Sequence, residues 1–248
     1  MSSLRKFFVS SEQITNKRVV LTGPDVSHIR TVLRLKVGDS IHVISDSDKL
    51  LTVRLIEVKS KVVHGEVIAS ETIYMESPLA VHLGQALTKA NKFDVILRKS
   101  VELGVCSVTP LVTERCIVKI YPVKRRDKIE RWNKIARESS KQCGRSKVPQ
   151  VADNIETLEN FCRNNREQDL KLVFWELEEN QFLKDLKLKE VPCSVAVLIG
   201  PEGGFSQVEV EKARQYGFQT VSLGPRILRA ETAPLVALTL LQSLWGDL

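Results

Sequence analysis

Metal-ligand spacing is missing from this chain. Its five cysteines (Cys106, Cys116, Cys143, Cys162 and Cys193) are scattered through 248 residues, no two form CxxC, and no histidine stands near them at ligand spacing. A zinc site or disulfide framework is therefore not expected, and free thiols fit a reducing compartment, the cytoplasm. No apolar run approaches the roughly 20 residues that span a bilayer. Met1 to Phe8 also lacks the apolar core of a signal peptide. A membrane partner is not expected. No GK[ST] follows the glycine-rich stretches, which excludes a P-loop nucleotidase. Internal repeats and low-complexity tracts are lacking too.

What is present is an ordinary globular composition, 43% hydrophobic and 27% charged. The formal net charge of +7 is unevenly spread: Lys89 to Lys147 holds 16 Lys and Arg against 6 Asp and Glu, whereas Gln150 to Glu190 holds 6 against 10. Concentrated positive charge suits a phosphate-facing surface, whose affinity weakens with salt. RNA is the expected partner.

The first 70 or so residues read as mostly β, with apolar or alternating runs at Phe7 to Ser10, Val19 to Leu21, Ser40 to Ile44, Leu50 to Val58 and Val62 to Ser70. One helix pattern interrupts them, Asp25 to about Leu35, with Val26, Ile29, Val32 and Leu33 on one face. Several short strands around one helix predict a small barrel over residues 1–72, and Ser70 to Pro78 reads as the linker. Residues 73–248 alternate between strand and helix patterns. Strands are expected at Ala80 to Gly84, Val108 to Val112, Leu170 to Trp175, Val195 to Ile199 and Thr220 to Leu223. Helices are expected at Ala90 to Leu103, at Lys124 to Cys143 with a stop at Gly144, and at Leu235 to Trp245. The fold class is α/β, a mostly parallel sheet covered by helices. The last helix is apolar nearly all round and must be buried.

Two glycine-rich loops near the C-terminus carry the most information. Leu198-Ile199-Gly200-Pro201-Glu202-Gly203-Gly204-Phe205-Ser206 and Leu223-Gly224-Pro225-Arg226-Ile227-Leu228-Arg229-Ala230-Glu231-Thr232-Ala233 each follow a short strand and lead into a helix. Ser206 with Glu209 predicts a capping box and a helix to Tyr216, stopped at Gly217; Pro234 fits the first turn of the final helix. Glycine lets a ligand lie against bare backbone, so two such loops separated by one helix predict one shared pocket. A branched side chain at Gly203 is expected to intrude where the ligand lies.

GPEGGFS at Gly200 to Ser206 and LGPRILRAETA at Leu223 to Ala233 resemble the signature motifs of the bacterial 16S ribosomal RNA uridine-N3 methyltransferases, the RsmE family of the SPOUT superfamily. Weaker matches occur in the N-terminal part and the middle of the chain. The resemblance implies a trefoil-knotted α/β methyltransferase domain, 73–248, behind a PUA-like RNA-binding β-barrel domain, 1–72. It also implies S-adenosylmethionine as cofactor, 16S rRNA or the small ribosomal subunit as partner, and a homodimer formed partly through the last helix. Following the motifs position by position, Leu198, Ile199, Gly200, Gly203, Gly204, Leu223, Gly224, Ile227 and Leu228 are expected to hold the cofactor. Arg5, His28, Arg30, Arg34, Arg115, Gln142 and Arg145 are expected to face RNA, with Arg30 and Arg34 sharing one helix face. Ser27, where the family commonly has a second histidine, and Ser45-Asp46-Ser47-Asp48, in place of a glycine-containing turn, depart from the pattern.

Attack by N3 of uridine requires loss of its proton, because the neutral imide nitrogen has no available lone pair. Arg229 and Glu231 are the catalytic candidates. Charges among close-packed glycine backbone are costly unless paired. Two readings stand: a mutual salt bridge that shapes the loop, or Arg229 stabilising the uracil anion as an oxyanion hole does, with Glu231 orienting it or taking the proton. Glu202 can satisfy loop amides instead. Rival readings of the whole chain are a knotted methyltransferase acting on tRNA or ribose, and a non-catalytic RNA-binding assembly protein.

Overall fold

The computed structural model describes residues 6–45, 47–73, 75–118 and 121–248. They fall into two compact units: residues up to Glu76 together with Ser140–Val148, and Ser77–Ser139 together with Pro149–Leu248. A single cut at 72/73 does not capture the return of Ser140–Val148 to the N-terminal unit. Among the described residues no helix is long and apolar enough to cross a membrane.

The N-terminal unit holds β1 (Lys6–Val9), β2 (Ile14–Thr15), β3 (Arg18–Thr22), α1 (Pro24–Ser27), β4 (Ser40–Ser45), β5 (Lys49–Val58) and β6 (Val62–Thr72). They form a six-stranded sheet in the order β1-β4-β5-β6-β3-β2. Phe7, at one end of that path, and Val19 and Leu21, near the other, share one core with Val26 and Ile29, as a small barrel requires.

The helix expected from Asp25 to Leu35 is much shorter. α1 ends at Ser27 and runs into a π-helical turn, His28–Val32, closed by the Leu33 amide donating to the His28 carbonyl at 2.9 Å. The wider turn rotates later side chains away from α-helical spacing. Val32 is consequently 67% exposed instead of buried. Arg34 lies past the turn in the left-handed region, φ 53°, so it does not share a helix face with Arg30.

The second unit is a seven-stranded parallel sheet, order β10-β8-β7-β12-β11-β13 with β9 on β8. Its elements are β7 (Ala80–Ala86), α2 (Lys92–Glu102), β8 (Val105–Val112), α3 (Pro122–Cys143), β9 (Gln150–Val151), β10 (Glu156–Thr157), α4 (Leu158–Asn164), β11 (Leu170–Phe174), β12 (Ser194–Ile199), α5 (Gln207–Gln215), β13 (Gln219–Val221) and α6 (Ala233–Trp245). Strands buried on both faces explain the continuous apolar runs such as Val195–Ile199. α2 buries Phe93, Ile96, Leu97 and Val101, one helical face. Its buried Asp94 accepts hydrogen bonds from Arg131 Nε at 3.0 Å and Trp132 Nε1 at 3.1 Å, so no uncompensated charge remains inside. α6 buries Ala237, Leu238 and Leu241 but leaves Leu240 and Leu244 39% and 49% exposed. Within one chain its all-round apolar surface is therefore only half covered.

Candidate functional site

β11 precedes β12 and β13 in the chain yet lies between them in the sheet, parallel to both. All three therefore end on the same edge, the carboxyl edge at which α/β sheets bind ligands. A cavity of about 540 Å³ opens there. Phe174, Trp175 and Glu176 line it from the end of β11, Ile199 to Gly204 from β12, and Ser222 to Ala230 from β13, with Lys92 of α2 at its rim. The two glycine loops form one pocket, as their spacing implied, and the third strand end completes it.

The first loop is braced from several sides. Ser206 and Glu209 form the expected capping box: the Ser206 amide donates to Glu209 Oε2 at 2.9 Å and the Glu209 amide to Ser206 Oγ at 3.3 Å. The remaining Glu209 oxygen accepts the Glu114 amide at 2.8 Å, and Arg115 Nη1 donates to the Gly203 carbonyl at 2.9 Å. Gly204 is in the left-handed region, φ +67°, and the Glu176 carboxylate occupies the space a Cβ there would need. Gly203 lines the cavity, and a Cβ on it would meet Arg115 Cβ at 3.2 Å.

The second loop is more open. Gly224 also takes a positive φ, +108°, and its amide donates to Ser222 Oγ at 3.2 Å. The Arg229 carbonyl accepts the Thr232 and Ala233 amides at 2.8 and 3.0 Å, turning the chain into α6. Ile227 is 84% exposed, and Arg226 and Arg229 are exposed with no ion-pair partner among the described residues.

The expected alternative of an Arg229–Glu231 salt bridge is not what forms. Glu231 Oε2 lies 2.9 Å from Lys92 Nζ, and Glu202 Oε1 lies 3.6 Å from the same ammonium. The bond to Glu231 chiefly, and Glu202 beyond it, holds the Lys92 ammonium charged above the usual lysine range. In return Lys92 holds the Glu231 carboxyl below the usual glutamate range, which makes it a weak proton acceptor. Glu202 does satisfy a loop amide, that of Lys89 at 3.0 Å.

Of the expected cofactor set, Ile199, Gly200, Gly203, Gly204, Leu223, Gly224, Ile227 and Leu228 line the cavity. Leu198 does not: it is fully buried in the core cluster with Phe161 and Phe205, on the opposite face of β12 from Ile199. Arg115 is committed to the Gly203 carbonyl. In the N-terminal unit His28 and Arg30 are exposed, His28 packing edge-on to Phe7 at 6.0 Å. Gln142 is exposed. Arg145 is 7% exposed and ion-paired with Glu76, which also accepts the Ser146 and Lys147 amides, so it clasps its own segment and does not face outward. Arg5 lies outside the described residues. Lys92, Trp175, Glu176 and Arg226 were not anticipated as site residues. Position at a strand's carboxyl end was the available signal for Trp175 and Glu176, and a lysine opening a helix for Lys92.

A family model described as an RNA methyltransferase domain matches residues 75–242, and one described as an RNA methyltransferase PUA domain matches residues 21–68. The ribosomal RNA small subunit methyltransferase E of Buchnera aphidicola (strain Sg) is 34% identical over 243 residues, 98% of this chain and 96% of its own length. That of Bacillus subtilis is 34% identical over 224 residues, 88% and 87% of the two chains. A solved structure of a putative methyltransferase from Legionella pneumophila, in complex with the cofactor SAM, superposes with TM-score 0.89 at 35% identity and 99% coverage of both chains. One from Neisseria gonorrhoeae bound to S-adenosyl methionine gives TM-score 0.87 at 32% identity, covering 98% and 99%. The paired glycine loops on either side of β11 and these full-length similarities lead to one conclusion: the chain belongs to the ribosomal RNA small subunit methyltransferase E family.

Proposed function

We propose that this chain transfers a methyl group from S-adenosylmethionine to N3 of a uridine in the decoding region of 16S rRNA, working as a cytoplasmic homodimer. The observation that carries this reading is the cavity at the carboxyl ends of β12, β11 and β13. Its residues fit the donor: bare backbone at Gly200, Gly203 and Gly204 and apolar Ile199, Leu223, Ile227 and Leu228 suit a nucleoside. The matching Legionella and Neisseria structures hold that compound. Bound, it supplies an electrophilic methyl on a sulfonium and leaves as a neutral thioether.

What the chain's own groups contribute is position and charge. Arg229 stands at the cavity without an ion-pair partner among the described residues, and its guanidinium favours uracil in its N3-deprotonated form. Arg226 adds to the same field. Glu231, tied to Lys92, shapes the loop and leaves Arg229 free. Exposed Arg30 and Arg34 and the surplus of positive charge support a phosphate-rich partner, 16S rRNA or the small subunit. The half-covered face of α6, with Leu240 and Leu244, supports pairing with a second copy. Membership of the family supports a trefoil knot around the donor site.

Deleting the gene and digesting the cell's 16S rRNA to nucleosides tests the reading. Mass spectrometry should show N3-methyluridine lost and restored by the wild-type gene; unchanged N3-methyluridine contradicts it.

A further inference from the structure

We propose that Lys92 is a positioning residue that holds the two glycine-bearing loops together as one pocket through ion pairs to a carboxylate on each. The two carboxylates come from different strand ends, Glu202 after β12 and Glu231 after β13, and Lys92 Nζ reaches both, at 3.6 and 2.9 Å. The same short connection from β7 to α2 grips the first loop a second time, because the Lys89 amide donates to Glu202 Oε1 at 3.0 Å.

Two local features run against ordinary chain preference and fit such a grip. Lys92 opens α2, where a cation opposes the helix dipole, yet it stays there with its charge reinforced by its partners. Ala90 sits two residues before it in the left-handed region, φ 54°, which a residue with a Cβ rarely adopts. That turn brings the Lys89 amide and the Lys92 ammonium to the same side. A compact ammonium with three rotatable donors suits two carboxylates approaching from different loops better than a planar guanidinium does. The consequence for the site is that Lys92 offsets one of the two rim carboxylate charges and draws both carboxylates to itself, while Arg226 and Arg229 supply the other positive charges of the lining.

The test has two readouts, one of them independent of any ligand. In the free protein, Lys92→Met should raise amide hydrogen exchange in both loops, 200–205 and 223–231, with exchange in β11 and β12 unchanged. Unchanged exchange, or a rise confined to one loop, overturns the proposal. The second readout rests on the reading of this cavity as a donor site. S-adenosylhomocysteine affinity should fall about threefold to fivefold in Lys92→Met and similarly in Glu231→Gln, while the double variant is no weaker than the weaker single, because both remove one shared interaction. Fully additive losses, or native affinity in Lys92→Met, overturn it. If the native protein fails to bind S-adenosylhomocysteine, the donor reading falls, and loop exchange alone still decides the role of Lys92.

Discussion

The first and second glycine-bearing loops follow strands that flank β11 and line one cavity, yet they are held in different ways. The first is fixed by a capping box, by Arg115 on the Gly203 carbonyl, by Trp175 Nε1 donating to the Phe205 carbonyl at 3.4 Å, and by the Lys89 amide on Glu202. The second has its own turn into α6 and the Glu231–Lys92 ion pair, and it presents Ile227, Arg226 and Arg229 to whatever approaches. One loop is thus a preformed wall and the other an exposed jaw carrying the charges that remain free. Pre-organisation of one side lowers the ordering cost of binding, while the open side leaves room for a large substrate.

Breaking the wall should have the largest effect. Gly204→Val forces a branched residue into φ +67° and drives its Cβ into the Glu176 carboxylate. Calorimetry should show S-adenosylmethionine affinity reduced about 100-fold, with a lower melting temperature, since a branched residue is strained at φ +67° and the loop wall must shift to relieve it. Native affinity would mean that the first loop is not part of the binding wall. On the jaw, Arg229→Ala should reduce kcat by roughly 10²–10³, the scale of one lost anion-stabilising donor. Its donor affinity should stay within several-fold, because the side chain is exposed. Equal loss of both would make Arg229 a binding or folding residue. The smallest effect sharpens the comparison at the tether between the loops. Ala90→Gly relieves a left-handed residue at φ 54° and should raise unfolding free energy by about 1 kcal/mol in urea titration. A loss of stability would mean that this turn is unstrained.

Much of the second unit was legible because its strands and helices carry strong local signals. The Ser206/Glu209 box and the Gly217 stop placed α5 correctly, since capping is decided within a few residues. Apolar runs located β7, β11 and β12, although they could not say that β11 lies between two later strands. That order is long-range, and it is what brings Trp175 and Glu176 beside the glycine loops. Lys92 was missed for the same reason: Glu202 and Glu231 are more than a hundred residues away in sequence. Arg229 and Glu231 invited pairing because they are neighbours in the chain, but the Glu231 carboxylate takes Lys92 as its ion-pair partner and feels Arg229 only through its charge. In the N-terminal unit, helical periodicity over Val26, Ile29, Val32 and Leu33 could not reveal the π turn that breaks it. Arg145 read as an RNA contact because sequence shows a charge without its partner, here Glu76.

The decisive experiment supplies the purified protein with S-adenosylmethionine labelled in its methyl group and small ribosomal subunits from cells lacking this activity. The label should appear in 16S rRNA as N3-methyluridine, and Arg229→Ala should transfer far less of it at saturating donor. Label on a ribose oxygen, on another base, or nowhere in the RNA would contradict it.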